Sequence, residues 1–163
     1  MNKLFLGILI GAFLPLMAGY LFVVSGGMPV ATKGGPLPLE HFIVKKALHA
    51  AYKNDLNLQA PFELTGDRVA HAALLYKNNC GGCHGISNRE NLMAKGMFPP
   101  APQFYQPNMD VKDDPIGEIH WKIKNGIRLT GMPGYIDILK EDDLWELSLF
   151  LKNGEKIPEE AQK

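Results

Sequence analysis

Cysteine is scarce, with two residues in 163, and the pair stands three apart as Cys80-Gly81-Gly82-Cys83. A disulfide between them would close too small a loop to restrict the unfolded chain, which argues against a disulfide-stapled fold. A zinc site would need further ligands, and no second cysteine pair exists to complete one. A thioredoxin-like redox pair belongs beside a βαβ unit, and no run of alternating apolar and polar residues reads as a strand here. Charge is also in no excess, with 17 basic and 17 acidic residues. A nucleic-acid surface, which draws on a basic excess, is therefore not expected. Repeats and low-complexity tracts are absent, which leaves one small domain with some chain to spare.

What the chain does have, at its start, is a long apolar run. Leu4 to Val24 carries no charge and follows Lys3. Such a run is long enough to cross a bilayer core as a helix. A cleaved secretory signal is the rival reading, although its apolar core is usually shorter and a clear small-x-small cleavage site is missing. Either way the rest of the chain is expected to cross the membrane. Residues 25–37, rich in Gly and Pro, read as a flexible spacer. A helix is predicted from about Pro38 to Lys53, with Phe42, Ile43, Ala47, Ala50 and Ala51 on the face that packs on the domain or on a partner.

Three more helices follow. Thr65 or Asp67 starts one that runs to Asn79, with Val69, Ala72, Ala73 and Tyr76 at helical spacing. Asp114-Pro115 opens another that Asn125-Gly126 closes, with Ile116, Ile119 and Ile123 on one face. The last runs from about Glu141 to Asn153, with an acidic first turn and a Leu144, Leu147, Leu151 stripe. Between the first two, Pro99, Pro100, Pro102 and Pro107 impose an irregular segment. The fold class is all-α with a long structured loop.

The residue after Cys83 is His84, and Cys-x-x-Cys-His is the pattern of covalent haem attachment. Two thiols at that spacing can add across the two haem vinyl groups, and the next residue sets an imidazole beneath the iron. Attachment of this kind takes place outside the cytoplasm in bacteria, which agrees with the export signal. Met132 lies in Thr130-Gly131-Met132-Pro133-Gly134, where small residues let the backbone approach a haem face, so it is the candidate sixth ligand. Met97 in Lys95-Gly96-Met97-Phe98-Pro99 is the rival, only 13 residues from His84. Met93 and Met109 have no comparable loop. His71 and His120 are the other imidazoles within the domain, read as packing or surface residues.

Residues 66–154 resemble the class I (mono-haem) cytochrome c family of the bacterial, membrane-anchored or periplasmic type. The resemblance is carried by Leu75-Tyr76, by Cys80 through Gly85, and by Phe98-Pro99-Pro100-Ala101-Pro102. It continues through Trp121 to Pro133 and in Asp143-Leu144-Trp145. It implies a compact helical fold around the haem, His84/Met132 ligation and one-electron transfer. It also implies that a proline carbonyl accepts the Nδ1–H of His84, with Pro99 or Pro100 as the candidates. Trp121 and Arg128 would meet the haem propionates, or else be a core aromatic and a solvated loop residue. One departure is Lys140, where relatives often place a Ser to cap the last helix.

The expected organisation is an anchor or signal over 1–24, a spacer with one helix over 25–62, a haem domain over 63–156 and a tail over 157–163. The expected role is an electron carrier, not an enzyme in its own right, with one covalent haem c and no small-molecule substrate. Its partners would be redox proteins (a dehydrogenase, an oxidase or another cytochrome), and residues 4–24 would hold it to the periplasmic side of the bacterial inner membrane. Cleavage would instead make it soluble in the periplasm. The alternatives are a haem subunit of a dehydrogenase or oxidase complex, or a ligand-binding or peroxidatic haem protein with an open iron.

Overall fold

The computed structural model describes residues 2–87, 89–105 and 111–154, so the expected tail at 157–163, along with Pro107 and Met109, lies outside the described residues. Among the described residues there are α-helices and a single 3-10 turn at Val111–Asp113, and no strand. The chain divides into two compact units, one ending at Pro38 and the other starting at Leu39.

The first unit holds α1, Lys3–Val24. At 1.5 Å per residue its 22 residues measure about 33 Å, enough for a hydrocarbon core of about 30 Å. Pro15 lies inside it without ending it, as membrane helices allow.

The second unit begins with α2, Glu40–Tyr52. The face carrying Phe42 and Ile43, expected to pack on the domain or on a partner, is not the one the domain buries. Phe42 and Ile43 are exposed, and it is Tyr52 that is buried, against Trp121 with ring centroids 6.1 Å apart. The loop that follows is held closely to the next helices. A Cβ on Gly117 would lie 1.8 Å from the Asp55 carbonyl oxygen, so only glycine permits this approach.

The core is built by α3, Gly66–Asn79, α6, Ile116–Asn125, and α7, Glu141–Lys152, with the short helices α4, Gly81–His84, and α5, Leu92–Lys95, between the first two. The apolar stripes meet as the spacing predicts. Ala72, Ala73 and Tyr76 of α3 pack with Ile119 and Ile123 of α6 and with Leu144, Leu147, Phe150 and Leu151 of α7. Each large side chain so buried contributes roughly 1.5–3 kcal/mol. Tyr76, fully buried, lies 5.8 Å from the Phe150 ring. The α6 helix stops where Gly126 takes φ +68°, a conformation that glycine adopts without a Cβ clash. Lys140 supplies no side-chain cap to α7, but Asp143 accepts the Lys140 N–H at 3.1 Å and meets part of that need.

The two spare histidines are used in packing. His71 lies 2.6 Å from the buried Glu146, which Arg68 also holds at 2.7 Å, joining α3 to α7. His120 is buried and stacks on Trp145 at 3.8 Å between ring centroids. Its Nε2 comes within 3.1 Å of a Glu141 oxygen without hydrogen-bond alignment, so the contact is electrostatic. Burial pushes the His120 imidazole toward its neutral form.

Candidate functional site

The pentapeptide starts at the C-terminal end of α3 and fills α4. The Cys80 N–H donates to the Tyr76 carbonyl at 2.8 Å, and the Cys80 carbonyl accepts from Cys83 and His84 at 3.1 and 2.9 Å. One helical turn therefore sets the two thiols at i and i+3, on the same face. Both cysteines are free thiols. Burial, with Cys83 alongside, pushes the Cys80 thiol up to about 12, the opposite of what a reactive redox thiolate needs. Tyr76 locks the other end of the motif by donating its hydroxyl to the Gly85 carbonyl at 2.8 Å.

His84 is half-buried, and burial lowers its pKa while the hydrogen bond from its ring opposes that shift. In the neutral ring Nδ1–H donates to the Pro102 carbonyl at 2.8 Å. This corrects the expectation of Pro99 or Pro100 as the acceptor. Both of those line the adjoining cavity, but the irregular segment turns the carbonyl of Pro102 to the imidazole. The bond fixes the tautomer and leaves Nε2 for a ligand. Phe104 lies parallel to the imidazole, with centroids 4.5 Å apart and planes 6° apart, and so holds the ring from one side.

Two side chains that sequence reasoning missed tie the motif to the proline segment. Gln103 donates to the Cys83 carbonyl and to the Ala101 carbonyl, each at 2.8 Å. Asn91 donates to the Gly82 and Cys83 carbonyls at 2.9 and 3.0 Å while its oxygen caps α5. A lone Asn or Gln in an aperiodic segment is too common a feature to have marked either one.

The motif borders a mostly apolar cavity of about 570 Å³. Its lining brings together Cys80, Cys83, His84, Pro99, Pro100, Met132 and the rival Met97, with Ile119, Ile123 and Leu151 from the core and Leu48 from α2. Trp121 and Arg128 are not among the residues that line the cavity. Trp121 sits two residues from Ile119 and from Ile123, about 200° around α6 from each, and meets Tyr52 instead. Arg128 is an exposed loop residue. Met93 is exposed beside Cys83, with the sulfurs 4.0 Å apart.

The loop that carries Met132 is held from several directions. The Ile127 N–H donates to the Met132 carbonyl at 3.2 Å, and the Met132 N–H donates to the Thr130 hydroxyl at 3.1 Å. The Tyr135 N–H returns to the Ile123 carbonyl at 3.1 Å, and its hydroxyl reaches the Asn79 carbonyl at 2.7 Å. At the neck of the loop a Cβ on Gly126 would come within 2.5 Å of the Gly134 nitrogen and the Pro133 carbonyl carbon, both backbone atoms. Gly126→Ala is therefore expected to destabilise the protein by about 1–3 kcal/mol in urea unfolding. It should also move Met132 and perturb the visible spectrum, whereas Gly66→Ala, where a Cβ meets nothing, should leave that spectrum unchanged.

The donor set fits a haem. Two thiols stand one turn apart, an imidazole is fixed through its far nitrogen, a thioether borders the same apolar cavity, and the volume lies within the range of cofactor sites. A family model described as cytochrome C oxidase, cbb3-type, subunit III matches residues 67–151, just over half of the chain. The match takes in the pentapeptide and Met132 and leaves α1 and α2 outside. No curated protein matches the chain.

Proposed function

Because the chain belongs to the family described as cytochrome C oxidase, cbb3-type, subunit III, a c-type cytochrome family, we propose that it holds one covalent haem c and passes single electrons between redox proteins. The observation that carries the proposal is the single cavity bordered by Cys80, Cys83, His84 and Met132. A haem iron bound there supplies one-electron exchange between its ferrous and ferric forms.

The chain's own residues set the conditions for that exchange. Cys80 and Cys83 are the two thioether attachments. His84 is the proximal ligand through Nε2, and the Pro102 bond at Nδ1 orients the ring and strengthens its basicity. Met132 is the sixth ligand, chosen over Met97 because its loop is braced at both ends. A haem held by both His84 and Met132 would have no position left for a substrate, which is the arrangement of a carrier. The apolar lining keeps water out and helps set the potential. The α1 helix serves as the membrane anchor, and residues 25–38 are the tether that raises the local concentration of the domain near respiratory partners. Those partners are a dehydrogenase on one side and an oxidase or another cytochrome on the other, at the periplasmic side of a bacterial inner membrane.

A second reading makes the chain a resident haem subunit of an oxidase complex. The family description favours it, as does α2, which lies outside the matched residues yet contributes Leu48 to the cavity. Extraction of the native protein as a lone monomer in mild detergent would contradict this second reading.

A redox titration of the full-length protein tests the carrier. It should follow a one-electron curve, and the reduced protein should not combine with carbon monoxide on mixing. Rapid carbon monoxide binding by the native protein would overturn the assignment.

A further inference from the structure

The α2 helix has two opposed faces, and only one is used by the domain. Leu48 and Tyr52 turn inward, to the cavity and to Trp121. Ile43 is nine residues from Tyr52, about 180° around the helix. On that outer side Leu39, Phe42 and Ile43 are 71%, 62% and 59% exposed, an apolar strip at the start of the helix. Leu39 also holds φ +66°, an unusual conformation for a leucine whose side chain touches little. Lys46 lies along the Phe42 ring at 5.9 Å, and Lys53 follows two turns later on the same flank.

Charge is divided along the chain in the same sense. Residues 25–53, which follow α1, hold four lysines against one glutamate, and residues 54–163 hold twelve basic residues against sixteen acidic ones. The chain between Val24 and Leu39 is fourteen residues long, with a reach of at most about 50 Å and about 20 Å on average for a Gly-rich coil. The strip is thus confined near any membrane that holds α1.

We propose that α2 lies on the surface of the bilayer that α1 crosses, with Leu39, Phe42 and Ile43 among the headgroups and upper acyl chains and Lys46 and Lys53 at the phosphates of anionic lipids. The proposal rests on the reading of α1 as an anchor. An apolar strip flanked by lysines is the form in which a helix binds such an interface. An acidic lipid surface complements this segment and repels the rest of the domain. Because Leu48 borders the cavity from the other side of the same helix, the haem would be held about one helix diameter, roughly 10 Å, from the membrane surface. The domain would then meet its partners in one orientation at one height instead of swinging on its tether.

The test uses the full-length holoprotein in vesicles of phosphatidylcholine and phosphatidylglycerol in equal parts, with a nitroxide on Ile43→Cys or on Glu63→Cys. The label at 43 should lose most of its collisions with a water-soluble nickel chelate and gain collisions with oxygen, while the label at 63 stays accessible to the chelate. Adding Lys46→Glu and Lys53→Glu to the first variant should restore the chelate collisions. A label at 43 as accessible as that at 63, in protein that carbonate does not extract, would overturn the proposal. So would protection that persists in detergent with spin–spin broadening, because a second copy and not lipid would then cover the strip. Release of the whole chain by carbonate would instead overturn the anchor reading on which the proposal rests.

Discussion

Met132→Ala should lower the midpoint potential by on the order of a hundred millivolts, a modest part of the roughly 0.8 V over which axial ligands tune a haem. The reduced variant should also bind carbon monoxide on mixing, as the native protein should not. The reason is the loop. Met132 borders the cavity, and Thr130, Ile127 and Gly126 fix the backbone on either side of it. On the proposed ligation, removing the thioether would leave an open position and take away a ligand that favours the ferrous form. Met97→Ala is the control, since Met97 borders the same cavity. If Met97→Ala gave those changes and Met132→Ala did not, the two assignments would be exchanged.

The Cys80→Ala/Cys83→Ala variant should give a protein whose haem is extracted by acidified organic solvent and whose chain unfolds far more readily. The size of that effect follows from the cavity. A haem lost from the cavity of about 570 Å³ would leave Ile119, Ile123 and Leu151 facing water, at roughly 1.5–3 kcal/mol for each large side chain fully exposed. That is a large share of the stability of an ordinary domain, about 5–15 kcal/mol. Either single variant, Cys80→Ala or Cys83→Ala, retains one thioether and should keep the haem on the chain while showing an intermediate urea midpoint. Haem that remained with the double variant after extraction would contradict attachment at these two residues.

The parts of this picture that were legible in the sequence are those written in a period or a motif. The stripes of α3, α6 and α7 repeat at helical spacing, and Pro115, Gly126 and the acidic residues 141–143 mark their ends, so those elements fall where expected to within a residue or two. The pentapeptide reads directly because its chemistry needs consecutive residues. The acceptor of the His84 proton did not read, because three prolines stand within four positions of an aperiodic segment and nothing local tells which carbonyl turns inward. Phe104, Gln103 and Asn91 were missed for the same reason: each acts through a contact made by the path of the loop. The short helices α4 and α5 are single turns, below the length at which a period can be recognised.

The α2 helix failed in a different way. Apolar residues occur nearly all round it, so the sequence marks a helix without marking its buried side. The packing of Gly117 on Asp55 and of Tyr52 on Trp121 makes that choice. Trp121, open in the sequence between a propionate partner and a packing aromatic, is the surface on which Tyr52 of α2 rests.

The most direct test of the whole account is the absorption spectrum of the purified full-length protein, oxidised and reduced, through the visible and near infrared. A low-spin spectrum with the weak sulfur-to-iron band in the oxidised form, lost in Met132→Ala and kept in Met97→Ala, is the predicted result. A high-spin ferric spectrum of the native protein, with no such band, would mean an open iron and would contradict the electron carrier.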